Sequence, residues 1–234
     1  MSLWRRAVAN LWRLGLGIRF ALFQRHRHDA AVVETLDGLT IQVLPGVFNP
    51  ALFRVTPVFL EWLAEGLVPP DARVLDLGTG TGILAIAAAR TATRVTAVDR
   101  NPAALECARI NTNRNGVDDR VDLRLGDLFE PIVEERFDLI LCNPPYLAGE
   151  PATDLEHALL AGDFPDRFAR DLPDHLTDGG RALVILSTIG EEDTFIEAFK
   201  RVGLEVEAIR RRNLISEVVT LFAVYSPPVG SRSR

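Results

Sequence analysis

The chain has 234 residues, 47% hydrophobic and 25% charged, the balance of an ordinary globular protein with one sizeable core or a core plus a short extension. A formal net charge of −6 speaks against a generally basic nucleic-acid-binding surface. Two cysteines give neither a disulfide framework nor a zinc site, and His26 and His28 have no further ligands nearby, so no metal and a reducing, cytoplasmic setting are expected.

Residues 1–28 are acid-free and rich in arginine. On a helix, Arg5, Arg6, Arg13 and Arg27 fall on one side, and Trp4, Leu11, Ile18 and Leu22 on the other. Such a basic amphipathic helix could pack on the core or cap a substrate cleft. It could instead dock to a macromolecular partner or an anionic membrane surface, or act as a targeting peptide. No uncharged run reaches the length of a transmembrane span. Lys200 is the sole lysine, so the arginine excess reads as a genomic bias rather than as a set of phosphate ligands.

Two strands, Ala31 to Leu36 and Thr40 to Val43, are predicted around Asp37-Gly38, a hairpin signal. A helix from Pro57 to Gly66 follows Val47-Phe48-Asn49-Pro50. From Arg73 onward strands and helices alternate. The strands are Arg73–Leu77, Arg94–Asp99, Val121–Leu125, Phe137–Cys142, Arg181–Ser187, Leu204–Ile209 and Glu217–Tyr225. The helices are Gly82–Arg90, Pro102–Asn115, a stretch within Phe164–Leu176, and Glu191–Val202. This alternation predicts an α/β fold with a mostly parallel sheet between helical layers. The last two strands, joined by a loop over Arg210–Ser216, have no room for a crossover helix and so form an antiparallel pair.

The first parallel strand ends in Asp76-Leu-Gly78-Thr-Gly80-Thr-Gly82. The three glycines allow a sharp turn into a helix and close approach of a nucleotide-like ligand. Glycine loops of this kind also serve dinucleotides, so the carboxylates decide. Asp99 ends the second strand, where it could accept both ribose hydroxyls. Asp127, followed by Leu128, comes after the third strand, where it could accept from an adenine amine. Asp76 could face an ammonium group, directly or through water. Three acids so placed suit S-adenosylmethionine rather than a diphosphate. Taken singly, each aspartate could equally be a helix cap or a strand-end solvent contact.

The fourth strand delivers Asn143-Pro144-Pro145-Tyr146. This run can simply turn the chain. Joined to the glycine loop, it suggests methyl transfer to a planar nitrogen. The Asn143 side-chain oxygen and the Pro144 carbonyl would hold two N–H groups while Tyr146 stacks on the flat group.

The segments Val-Leu-Asp76-Leu-Gly-Thr-Gly-Thr-Gly82, Ala97-Val-Asp99, Gly126-Asp-Leu-Phe129 and Phe137 to Tyr146 resemble class I S-adenosylmethionine-dependent methyltransferases. They are most similar to the release-factor glutamine methyltransferase family and its short relatives. The resemblance implies a Rossmann-like, seven-stranded, mostly parallel sheet with an antiparallel last strand in a three-layer sandwich, plus a short N-terminal helix and hairpin. Pro69-Pro70-Asp71 separates an N-terminal region over 1–70 from the expected methyltransferase domain over 71–226, and a flexible tail is expected over 227–234. The resemblance further implies cofactor contacts at Asp99, Asp127 and Leu128, an acceptor site at Asn143, Pro144 and Tyr146, and cleft positions for Phe48 and Thr56. Residues 51–56 lack the acids that release-factor-modifying relatives carry there, and the N-terminal region is short and arginine-rich. The expected reaction is N-methylation of a macromolecule, with a protein glutamine amide favoured over an exocyclic base amine in RNA or DNA. A non-catalytic cofactor-binding or assembly module is the remaining alternative.

Overall fold

The computed structural model describes residues 30–149 and 151–227. The basic N-terminal helix and nearly all of the tail expected from the sequence lie outside the described residues. Among those described, the chain opens with a hairpin of β1 (Val32–Leu36) and β2 (Leu39–Val43). Its turn residues, Asp37 and Gly38, both have positive φ (48° and 71°), the geometry whose twist matches paired strands. Alternation puts Leu39, Ile41 and Val43 on the buried face.

A short 3-10 turn, Pro50–Leu52, is capped by the Asn49 side chain and leads into α1 (Val55–Trp62). That helix starts two residues before the expected Pro57. It runs on as a π-turn over Leu63–Leu67, where Gly66 turns out of the helix at φ 92°.

The main sheet contains β3 (Arg73–Leu77), β4 (Arg94–Asp99), β5 (Val121–Leu125), β6 (Phe137–Cys142), β7 (Leu176–Ser187), β8 (Glu205–Asn213) and β9 (Val218–Tyr225). Its order is β5-β4-β3-β6-β7-β9-β8. The first five are parallel neighbours, and β9 runs antiparallel between β7 and β8. Near-continuous Val, Leu and Ile runs in β3, β6 and β7 fit strands covered on both faces.

Helices flank the sheet: α2 (Ile83–Ala89), α3 (Pro102–Arg114), α4 (Asp154–His157), α5 (Phe164–Asp171) and α6 (Glu192–Arg201). Asn101 caps α3 through its side-chain oxygen and Pro102 occupies the first turn, where its missing N–H costs nothing. Phe164, Phe168, Phe195 and Phe199 join α5 to α6 through ring contacts of 5.6 to 6.3 Å.

Two expectations are corrected. The segment 210–216 is not mainly a loop, because β8 continues to Asn213 and only a tight turn, closed by paired Leu214 and Glu217 backbone bonds, precedes β9. Arg210 and Arg212 on this edge strand pair with Glu65 and Glu61 of the π-turn and α1, and Arg212 also lies over Trp62. The expected strand from Arg181 begins at Leu176, with an irregularity in its pairing to β6 between Phe137 and Leu139.

Strand order reverses at β3, which has β4 on one side and β6 on the other. A crevice therefore opens at the carboxyl ends of these strands, where Asp76, Asp99 and Asn143 are delivered.

Candidate active site

Gly78, Gly80 and Gly82 all adopt positive φ (76°, 54° and 82°), which their lack of a side chain permits. The Gly78 and Thr79 N–H groups both donate to the Val98 carbonyl at 2.9 Å, tying the loop to β4. Gly80 N–H donates to Asp99 Oδ2 at 2.8 Å. Gly78 and Gly80 line the cleft, whereas Gly82 packs behind it, where an added Cβ would come within 3.0 Å of Ala108.

Asp76 is buried beneath the loop rather than lining the cleft. Its Oδ2 accepts from Thr79 Oγ1 at 2.6 Å and from Ala85 N–H at 2.9 Å. Its Oδ1 is buried without a partner. Burial pushes this carboxyl up to about 7 despite those two hydrogen bonds, and the nearby Asp99 charge adds to the rise. A carboxylate so placed organises the loop from behind.

Asp99 also accepts from Asn101 N–H at 2.9 Å. Burial raises its carboxyl and backbone donors oppose the rise. Asp127 Oδ2 accepts from the Arg167 guanidinium at 2.8 Å, and both residues line the cleft. Leu128, also at the cleft, is held at φ 51°, an uncommon conformation for a branched residue. Gly126 precedes this turn where a side chain would collide with Pro131.

At the other end of the cleft, Asn143 Nδ2 donates to Thr56 Oγ1 at 3.2 Å. Asn143 Oδ1 is buried and unpartnered. Pro144 and Tyr146 line the same space, and Tyr146 is 8% exposed. Burial pushes the Tyr146 phenol far up, with the Glu217 charge adding to the rise. The Tyr146 carbonyl accepts from Glu191 N–H at 2.7 Å, and a side chain on Gly190 would strike that carbonyl. Phe48 and Phe53 stack at 4.7 Å beside this end. Leu147 bridges Leu160, which folds the segment bearing α4 against the cleft.

The expected residues thus gather around one cleft, with Asp76 and Gly82 supporting it from behind. Sequence reasoning missed Phe53, Arg100, His157 and Arg167, which also line it. Arg100 lies 3.0 Å from His157 Nδ1, although 57 positions separate them. No local pattern announces such a pair. Among the described residues there is no cluster of three or more metal-ligating side chains, and no helix is long and apolar enough to cross a membrane.

The donor set fits S-adenosylmethionine. At the cleft Asp99 suits a ribose and the Asp127-Leu128 turn an adenine edge, whereas the orphaned Asp76 oxygen is buried behind the glycine loop.

The profile of the methyltransferase small domain family matches residues 38–210. The chain is 37% identical over 186 residues to a release factor glutamine methyltransferase of Geobacter sulfurreducens, covering 71% of this chain and 62% of that protein. It is 43% identical over 123 residues to a ribosomal protein uL3 glutamine methyltransferase of Bradyrhizobium diazoefficiens, covering 46% of this chain and 39% of that one. The chain therefore spans less than two thirds of the length of these relatives. A solved structure of the T. thermophilus 16S rRNA N2 G1207 methyltransferase, in complex with AdoMet and guanosine, superposes with a TM-score of 0.61 at 25% identity. That match covers 82% of this chain and 49% of the other. The chain belongs to the methyltransferase small domain family, with a class I S-adenosylmethionine-binding methyltransferase domain related to the glutamine methyltransferases of release factors and ribosomal proteins.

Proposed function

We propose that the protein methylates a planar nitrogen of a macromolecule, and that this nitrogen is a protein glutamine side-chain amide. The observation that carries the reading is the buried, unpartnered Oδ1 of Asn143 at the cleft, on a side chain whose amide is tethered to Thr56. A buried acceptor without a donor is costly, and an incoming N–H would relieve that cost.

S-Adenosylmethionine supplies the sulfonium methyl group. Asp99 would hold the ribose hydroxyls, Asp127 and the Leu128 backbone the adenine edge, and Gly78 and Gly80 would let the ligand approach the main chain. Asn143 Oδ1 and the Pro144 carbonyl would each accept one N–H of the acceptor amide, and Tyr146 would pack on its plane. Held so, the face of the amide nitrogen that carries its lone pair would be aimed at the methyl carbon. The two acceptors favour the positive nitrogen of the transition state. With the donor bound, attack by nitrogen would form the N–C bond as the sulfonium S–C bond breaks, and the proton would then pass to solvent, leaving S-adenosylhomocysteine and the N-methyl amide.

Glutamine is favoured because the sequence relatives described above are named for that substrate. The acidic balance of the chain points the same way. A base amine is the second reading, supported by the likeness to the ribosomal RNA guanine methyltransferase.

Transfer of radiolabelled methyl groups into lysate from a strain lacking the protein tests both. Wild type should give protease-sensitive label that Asn143→Ala does not. Nuclease-sensitive label instead would move the assignment to a base amine, and label that persists with the variant would overturn the role of Asn143.

A further inference from the structure

Behind the Asp127–Arg167 pair lies a second cavity, walled by Phe129, Glu130, Val133, Arg170, Asp171 and His175. It shares Asp127, Leu128 and Arg167 with the main cleft, so these three residues form the partition between the two spaces. The Phe129 and His175 rings stack on each other at 4.3 Å and are both buried, so they form a rigid floor beneath this space. Val133, also on this wall, is largely exposed.

The movable part of the partition is Arg167. Its guanidinium makes one hydrogen bond to Asp127 Oδ2 at 2.8 Å and a looser approach to Asp163 at 3.8 Å. The Arg167 and Asp127 side chains are 30% and 29% exposed, so solvent reaches the pair and screens it in part. Among the described residues no hydrogen bond occupies Asp127 Oδ1. That oxygen is available to an adenine 6-amino group, and Arg167, bonded to the other oxygen of the same carboxylate, lines both spaces.

We propose that Arg167 is a specificity-determining residue that closes the adenine end of the cleft, and that the cavity behind it is a latent subsite for a 6-amino substituent of an adenine nucleoside ligand. The inference rests on the reading above, in which adenine lies at Asp127. A mono-substituted amine keeps one N–H for Asp127, so rejection comes from the guanidinium rather than from a lost hydrogen bond. Removing the guanidinium joins the two spaces.

Calorimetric titration of S-adenosylhomocysteine and of its N6-benzyl derivative against wild type, Arg167→Ala and Arg167→Lys tests this without any turnover. Wild type should prefer the unsubstituted ligand by at least about tenfold, the scale on which a pocket rejects added bulk. Arg167→Ala should narrow that preference by about tenfold, mainly through tighter binding of the benzyl derivative. Arg167→Lys, which keeps a cation on a flexible stem, should fall between the two. An unchanged preference in Arg167→Ala, or equal weakening of both ligands, overturns the proposal and leaves the proposed function standing. Failure of wild type to bind S-adenosylhomocysteine overturns both.

Discussion

Asn143 and Thr56 lie 87 positions apart and meet through a single hydrogen bond, so the acceptor geometry depends on α1 as much as on β6. Asn143→Ala should lower turnover at least about a hundredfold, the cost of losing one well-placed transition-state partner. Its affinity for S-adenosylhomocysteine should barely change. Thr56→Val keeps the shape but frees the Asn143 amide to rotate, and turnover should fall about tenfold. Steady-state rates with matched calorimetry check both, and near-normal turnover in Asn143→Ala contradicts the mechanism. Asp76 carries a different consequence. Burial raises its carboxyl from 3.8 to about 7, so the folded chain holds that proton more tightly than the unfolded chain does. Its contribution to stability is full at pH values below the unfolded value and is lost as pH rises through about 7. A shift of roughly three units corresponds to about 4 kcal/mol at most. Asp76→Asn keeps an oxygen for Thr79 and Ala85 and has no charge to bury. Urea unfolding between pH 5 and 8 should therefore show wild type losing stability relative to Asp76→Asn as pH rises. Parallel curves would mean that the carboxyl is ionised throughout. The placement of Asn143, Asp99 and Asp127 at one cleft was legible, because Asp99 ends β4, Asn143 follows β6 and Asp127 comes just after β5. Arg167 was not legible, since nothing local ties it to Asp127 across 40 positions.

Several side chains on and just after α3 fasten the hairpin of β1 and β2, and the fully buried Asn111 makes the most bonds. Asn111 Oδ1 accepts from Gln42 N–H at 2.7 Å, and its amide donates to the carbonyls of Gln42 at 2.8 Å and Thr81 at 2.9 Å. The same residue thus braces the glycine loop from behind, and Cys107, one turn earlier, donates to the Gln42 carbonyl too. Asn111→Leu would leave two backbone groups short of a partner inside the protein and should cost about 3 kcal/mol. A chain of this size should then melt roughly 10 °C lower. Scanning calorimetry reads that loss, and a melting point within about 2 °C of wild type would show the hairpin to be held without Asn111. Turn chemistry and period made the hairpin and the parallel strands readable, because Asp37-Gly38 and the Val, Leu and Ile runs act locally. Asn111 passed as one more polar residue in a helix, since its partners are brought to it only by the finished fold. The far half of β8 was read as a loop for a related reason. Arg210-Arg211-Arg212 carries no apolar alternation, and what stabilises it is pairing with β9 and with the acids of α1 and the π-turn.

At the scale of the molecule, the cleft exists because strand order reverses at β3, and the far side of the sheet depends on β9, the last strand in chain order. The family profile ends at residue 210, before β9, yet β9 lies between β7 and β8. A short loop predicts that β8 and β9 pair, but it does not say which of them reaches β7. The burial pattern gives the reason for the observed order. In β9, Val219, Leu221 and Val224 are fully buried, whereas β8 alternates between exposed and partly covered residues throughout. The more apolar strand takes the inner position and the charged one takes the edge, where its arginines also discourage pairing with other chains. Ending the chain at Asn213 would remove β9, uncover one side of β7 and leave β8 without its neighbour. Each buried aliphatic side chain is worth roughly 1.5–3 kcal/mol. Losing three of them, together with the ladder to two strands, approaches the whole stability of a typical domain, about 5–15 kcal/mol. The shortened chain should therefore show no cooperative urea transition and no binding of S-adenosylhomocysteine. A chain ending at Pro227 should match the full protein in both. A cooperative transition in the chain ending at Asn213 would mean that β3 to β7 form a stable unit on their own, and that β9 acts only on the β8 edge.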